Sequence, residues 1–247
     1  MNQFYVLYKA AGPEGVEEPV WANSGSAGLE NVGGDRQETM WVDVPGVDRA
    51  FEIKNVLSLR ECRHLIETAE HLGFKLDAPT FADRKMRQNF SLPWIPDEST
   101  MSLIWDRIRG VVAVEFEGRR ARGLSGRIRL YRYEPGQMFK RHIDFSHPGV
   151  RVIDGKAVED EGRFGKGRLS LLIYLNDDFS GGETILYERK ESGNEKNEDD
   201  LWDEIRVHPS AGDALCFNQG WGNRPLVHEG AVVTEGTKYI IKSDIVF

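Results

Sequence analysis

From Ser125 onward, apolar and polar residues alternate with the period of two that marks strands half-buried in a sheet. Arg127, Arg129, Tyr131 and Tyr133 fall on one face, Ile128 and Leu130 on the other. Pro135-Gly136 then turns the chain toward His142. The run from Arg168 to Asn176 is nearly all apolar, as expected of a central strand covered on both faces. Asp177 to Gly182 reads as a turn, and further strands follow at 183–187, 205–207, 214–217, 226–233 and 238–247. Upstream the period changes. Ser58 and Glu61 form a capping box, and Cys62, Leu65, Ile66, Ala69 and Leu72 recur at helical spacing up to Gly73. A second helix is predicted over about 99–111, with Leu103, Ile104 and Ile108 inward, and short strands at 41–45 and 50–53. The polar stretches 81–90, 146–167 and 190–203 read as loops.

Many strands joined by turns, with few helices between them, predict a mainly β protein with flanking helices (α+β). The expected core is a double-stranded β-helix, or jelly roll, with the helices packed on one sheet. Residues 1–45 read as a loop-rich N-terminal segment. Residues 46–247 read as a single domain, with its catalytic core at about 125–247.

Composition narrows the function. Of 247 residues, 40 are acidic and 32 basic, giving a net charge of −8. A general nucleic-acid binder needs a basic footprint, so no nucleic-acid partner is expected. The two cysteines, Cys62 and Cys216, have no metal-ligand spacing and read as buried apolar residues in a reducing compartment. The chain opens without a signal-peptide pattern and holds no apolar run long enough to span a bilayer. A cytoplasmic protein without a membrane partner is expected.

The chemistry centres on His142-Ile143-Asp144, whose two polar side chains project together from one wall of a strand. An imidazole and a carboxylate so placed supply two of the three ligands of a 2-His-1-carboxylate site for non-haem Fe(II). His228 lies on a later strand. Lys238, on the same face as Ile240, Lys242 and Asp244, is costly to bury without an anion, and a dicarboxylate ligand would supply one.

Four stretches, in this order, resemble the iron- and 2-oxoglutarate-dependent dioxygenases of the prolyl 4-hydroxylase-like branch. They are Tyr131-x-Tyr133-x-Pro135-Gly136-Gln137-x-Phe139-x-x-His142-x-Asp144, the run Leu172 to Thr184 containing Tyr174-Leu175-Asn176 and Gly181-Gly182, Pro209-x-Ala211-Gly212-Asp213-Ala214-Leu215-x-Phe217, and His228-Glu229-Gly230 continuing to Lys238-Tyr239. The resemblance implies that His142, Asp144 and His228 bind Fe(II). It implies that Lys238 pairs with the distal carboxylate of 2-oxoglutarate, assisted by Tyr174, with Tyr133 near the chelating end and Ser170 lining the same pocket. O2 would be the second cosubstrate and ascorbate a candidate reductant. Succinate and CO2 would be released as the substrate is hydroxylated. The carboxylate of Asp144 occupies the position that halogenases of the family vacate, which favours hydroxylation.

The leading substrate on this resemblance is a prolyl residue in a peptide or protein. A free amino acid or other small metabolite is the alternative, and a non-catalytic 2-oxoglutarate- or metal-binding module a third reading. Arg87-Gln88-Asn89 resembles an Arg-x-Asn element near the substrate mouth, and Trp221, in a long connection before His228, is a further substrate-contact candidate. The sequence sets no oligomeric state.

Overall fold

The strand Ile128–Tyr133 sits mid-sheet, pairing antiparallel with Arg87–Ile95 on one side and Lys238–Val246 on the other. The structure is a computed structural model that describes residues 3–11, 17–29, 37–77, 86–112, 115–116, 118–190, 201–220 and 224–247. Outward from the centre, Lys238–Val246 is followed by Gly167–Tyr174, Ala214–Asn218, Ala50–Lys54 and Met40–Asp43. On the other side, Arg87–Ile95 leads to Met138–His142, Val227–Gly230, Thr184–Arg189 and Trp202–Val207.

The two arms face each other. Leu172, Tyr174, Leu215 and Phe217 from one pack in a single cluster with Leu186, Val207, Leu226 and Val233 from the other. Alternation explains the sorting. Ile128, Leu130, Leu171, Ile173, Ile241 and Ile245 point outward into a second cluster, while the residues between them point into the roll. Two helices cover the outer face: α1, Leu59–Leu72, and α2, Glu98–Ile108. They contribute Cys62, Leu65 and Ala69, and Met101, Ile104 and Ile108. The jelly-roll expectation, with helices on one sheet, is what the structure shows.

The predicted capping box on α1 is present, with the Ser58 hydroxyl accepting from the Glu61 amide and the Glu61 carboxylate accepting from the Ser58 amide. Glu61 does more. Its carboxylate also receives Arg107 of α2 at 2.6 Å, with both side chains under a tenth exposed. Removing one member of a buried pair leaves an uncompensated charge. Arg107→Met is therefore expected to destabilise the fold by about 3 kcal/mol, read as a lower urea midpoint at constant slope. An unchanged midpoint would refute the pairing.

Three loop expectations change. The segment before residue 46 is not loop-rich throughout: Gln3–Ala11 and Glu17–Ser24 form an antiparallel hairpin, and the second strand runs parallel to the end of Arg87–Ile95. Most of Gln3–Ala11 is exposed, so no buried face imposes a readable period. Within 81–90, the described part joins the central strand Arg87–Ile95; residues 78–85 lie outside the described residues. Its charged start hides it, because Arg87 and Asn89 point into the roll, where Asn89 accepts from Arg87 and Asp77 forms an ion pair with the guanidinium. The stretch 146–167 contains a hairpin, Val150–Ile153 with Lys156–Glu159. Of 190–203, residues 191–200 lie outside the described residues. No helix among the described residues is long and apolar enough to cross a membrane.

Candidate metal and cosubstrate site

Three strands pave the floor of a cavity of about 660 Å³. Cross-strand register sets Arg129 beside Lys242, Tyr131 beside Ile240 and Tyr133 beside Lys238. Leu172 then lies beside Lys242 on the next strand. The inward faces of Ile128–Tyr133 and Lys238–Val246 thus form one ladder, hydrophobic and aromatic in the middle and cationic at both ends.

His142 ends the strand Met138–His142, and His228 pairs directly opposite it on Val227–Gly230. Asp144 follows two residues later. The ligand atoms of these three side chains all lie within 4.8 Å of one another. Each histidine places Nδ1 on the carbonyl two residues before it: His142 on Lys140 at 2.7 Å, His228 on Leu226 at 3.1 Å. A carbonyl accepts only, so Nδ1 carries the proton and the Nε2 lone pair is left for a metal. Both Nε2 atoms turn toward Asp144 Oδ1, at 3.5 and 3.8 Å. Rings hold the histidines in place. Phe139 stacks on His142 with centroids 3.5 Å apart, and Phe217 lies 4.4 Å from His228.

Protonation states suit ligation. Burial, followed by the proximity of His142, drives His228 down to about 3, so it stays neutral. Burial would raise the Asp144 carboxyl, but Lys242, His228 and His142 together hold it well below the usual carboxylate range. Two imidazoles with their Nε2 atoms turned to one point and an ionised carboxylate form the donor set that suits non-haem Fe(II).

Asp144 Oδ2 has its own support. The Ser170 hydroxyl donates to it at 2.5 Å, and Lys242 Nζ stands 3.7 Å away. Ser170 is fully buried, within hydrogen-bond distance of Gln219 as well. The expectation that it lines the cosubstrate pocket is therefore corrected: its side chain ends on a metal-ligand carboxylate, because Asp144 reaches across from the strand end. Orienting partners of this kind are worth about 10- to 100-fold in metal affinity. Ser170→Ala is expected to raise the Fe(II) concentration for half-activation by that factor; an unchanged curve would mean that Asp144 holds its pose unaided.

At the far end Lys238 is 3% exposed. Its Nζ donates to the Gly182 carbonyl at 2.5 Å and lies 5.7 Å from the ring centres of Tyr133 and Tyr174. Among the described residues no carboxylate pairs with it, and burial brings its pKa down to about 8 although Glu183 pulls the other way. The carbonyl it uses comes from a tight turn in which Gly181 and Gly182 adopt φ of 71° and 67°, a region that favours glycine. Tyr174 bonds to Thr184 at 2.8 Å, and Thr184 faces the cavity. A buried ammonium without an anion among the described residues, flanked by two tyrosine rings and sharing a cavity with three metal-ligand side chains, fits a dicarboxylate cosubstrate.

The substrate-side expectations fare unevenly. Arg87 lines the cavity, its guanidinium 4.6 Å from the rings of both Tyr131 and Phe139 and paired with Asp77 at 2.6 Å. Asn89 is fully buried and accepts from Arg87 Nε at 2.8 Å. It positions Arg87 and has no surface to offer a substrate. Trp221 lies outside the described residues. Sequence reasoning missed Glu18, Thr184, Phe139 and the site role of Arg129. Phe139 and Thr184 fall inside the matching motifs and Arg129 alternates with Tyr131 and Tyr133, whereas Glu18 left no signal.

Residues 128–243, just under half of the chain, match the model of the 2OG-Fe(II) oxygenase superfamily. The His142, Asp144 and His228 donor set and the buried Lys238 fit the Fe(II) and 2-oxoglutarate that name that superfamily. The chain is similar to proteins named as prolyl 4-hydroxylases. It is 32% identical over 123 residues to an Arabidopsis thaliana protein named as a probable prolyl 4-hydroxylase, a match covering 45% of this chain and 38% of that one. A putative prolyl 4-hydroxylase of Acanthamoeba polyphaga mimivirus is 24% identical over 199 residues, covering 78% of this chain and 72% of the other. Among solved structures, a prolyl hydroxylase from Trichoplax adhaerens, in complex with a hypoxia inducible factor peptide fragment, shares the fold. Its TM-score is 0.56 at 17% identity, over 81% of this chain and 84% of that one.

Proposed function

We propose that the protein is an Fe(II)- and 2-oxoglutarate-dependent hydroxylase acting on a prolyl residue of a peptide or protein. The observation that carries the reaction class is one cavity holding both the His142–Asp144–His228 cluster and the buried, anion-free Lys238. His142, Asp144 and His228 would hold the metal. Lys238 would take the distal carboxylate of 2-oxoglutarate, with Thr184 and the Tyr174 hydroxyl behind it completing the polar end. Tyr133, 5% exposed and facing the cavity, would border the other end of the cosubstrate. Bound together, iron and cosubstrate supply the oxidising chemistry: 2-oxoglutarate and O2 become succinate and CO2, and the second oxygen atom reaches the substrate as a hydroxyl.

The chain's own work is orientation and exclusion. The Nδ1 contacts fix both imidazoles, Ser170 fixes Asp144, and Leu172, Ile240 and Tyr131 keep apolar walls around the reacting centre. The prolyl substrate is supported by the likeness to sequences named prolyl 4-hydroxylases. Cys62 and Cys216 are buried free thiols, in keeping with a reducing, cytoplasmic setting.

The test is succinate release from 2-oxoglutarate with Fe(II) in the presence of proline-containing peptides, read with the mass of the peptide. Peptide-stimulated release with a one-oxygen gain on proline is expected. Stimulation by a free amino acid alone would keep the reaction and overturn the substrate.

A further inference from the structure

Most charged groups at the substrate end of the cavity are already paired. Arg87 is with Asp77, Arg127 with Glu159, and Lys242 with Asp244 and Asp144. His147 is held below its usual pKa by burial and by Arg127. Two groups differ. Arg129 and Glu18 line the same cavity, and among the described residues neither has a hydrogen-bonding or ion-pair partner. Both are half-buried. Burial and then Asp77 raise the Glu18 carboxyl while Arg129 pulls it the other way, yet Glu18 and Arg129 do not form an ion pair.

Their positions matter as much as their freedom. Arg129 is the cross-strand neighbour of Lys242, whose Nζ is 3.7 Å from the metal-ligand carboxylate Asp144. Its guanidinium thus belongs to the wall beside the reacting centre, on the side away from Lys238. Glu18 arrives from a different element, the N-terminal hairpin, whose Ala11 also borders the cavity. An unpaired half-buried cation and anion facing one space are each costly to desolvate until something complementary fills the gap. A planar guanidinium is suited to a carboxylate, and a carboxylate to an ammonium or other cationic nitrogen.

We propose that Arg129 and Glu18 are a substrate-recognition pair that reads a carboxylate and a cationic nitrogen lying close to the carbon that is hydroxylated. The proposal rests on the hydroxylase reading above and narrows its substrate. The two charges have two sources: the main-chain ends of a free amino acid, or acidic and basic side chains flanking a proline in a peptide. The N-terminal hairpin becomes part of the specificity apparatus.

The experiment measures succinate release with Fe(II) and 2-oxoglutarate over a panel of free proline, prolinamide, N-acetylproline, and end-blocked peptides in which proline is flanked by Asp and Lys or by Asn and Gln. Charged members are expected to be preferred over their neutral counterparts. Arg129→Gln should raise KM for carboxylate-bearing members at least about tenfold while leaving the amide or Asn counterpart unmoved. Glu18→Gln should do the same for the cationic group, and Arg129→Lys should restore part of the loss. Preference for free proline assigns the charges to the main chain; preference for the Asp/Lys peptide assigns them to side chains. Equal use of charged and neutral members, or equal KM increases for both in Arg129→Gln, overturns the proposal. The hydroxylase reading requires metal-dependent 2-oxoglutarate binding, read as a melting-curve shift with Mn(II) and 2-oxoglutarate before any substrate is added. No such binding sinks that reading and this one with it, whereas binding with no charged member preferred over its neutral counterpart sinks the recognition pair alone.

Discussion

Replacing His142 with alanine is expected to abolish metal-dependent turnover while leaving the fold in place. His142 supplies one of three ligand atoms, and its Nε2 is held toward Asp144 Oδ1 by the Nδ1 contact with Lys140 and by stacking on Phe139. Losing an outer partner of a metal ligand costs about 10- to 100-fold in affinity or activity, so losing the ligand itself should exceed that range. The fold does not depend on it. The side chain ends the strand at the cavity and is 16% exposed, and its removal relieves His228 of a neighbour that disfavours its charge. A metal that binds only the folded wild type at about a hundred times Kd adds about 2.7 kcal/mol of stability. A melting curve with and without Fe(II), or Mn(II) in its place, should show that increment in wild type and lose it in His142→Ala, with the two metal-free curves nearly superimposed. Retained activity would remove His142 from the metal site.

Much of this site is legible in the sequence because strands keep strict books on direction. The alternation that puts Ile128 and Leu130 against the helices must put Arg129, Tyr131 and Tyr133 inside. The same logic assigns Lys238, Ile240 and Lys242 to the interior and Ile241 and Ile245 to the helix side, as observed. The ligand cluster follows from His142-Ile143-Asp144 and a register that sets His228 opposite His142. Alternation gives the face of a side chain but not what it meets. Ser170 shares its face with Tyr174, yet it ends on Asp144, which reaches it from a segment 26 residues earlier. The hairpin Gln3–Ala11 with Glu17–Ser24 escaped detection for another reason. Among the described residues its first strand pairs on one side only, and it is exposed along most of its length, so sequence pattern carries little burial signal there. Glu18 therefore enters the cavity unannounced, by tertiary packing.

Lys238→Met is expected to do two opposite things: raise the 2-oxoglutarate KM by about a hundredfold or more and stabilise the ligand-free protein. The first follows from removing the cation that the distal carboxylate would meet in a buried site. The second follows from the same burial. The Lys238 pKa falls from 10.5 to about 8, which on the order of 1.4 kcal/mol per pKa unit is a penalty of roughly 3 kcal/mol for the charged form. Below about pH 8 the lysine is charged in both folded and unfolded chains, and the penalty is fully present. Between about 8 and 10.5 the folded chain releases its proton while the unfolded chain keeps it, so wild-type stability rises with pH and the advantage of methionine fades. Thermal melts at pH 7 and pH 10 should show a gap of several degrees shrinking toward zero. Ligand binding runs the other way. A bound dicarboxylate requires the ammonium, so wild-type KM for 2-oxoglutarate should climb about tenfold for each pH unit above 8, while Lys238→Arg holds it flat. An unchanged KM in Lys238→Met would move the anion site. Lys242 is the only other lysine on the cavity wall among the described residues, but Asp244 and Asp144 already neutralise it, so a flat result would argue against a lysine-anchored dicarboxylate altogether.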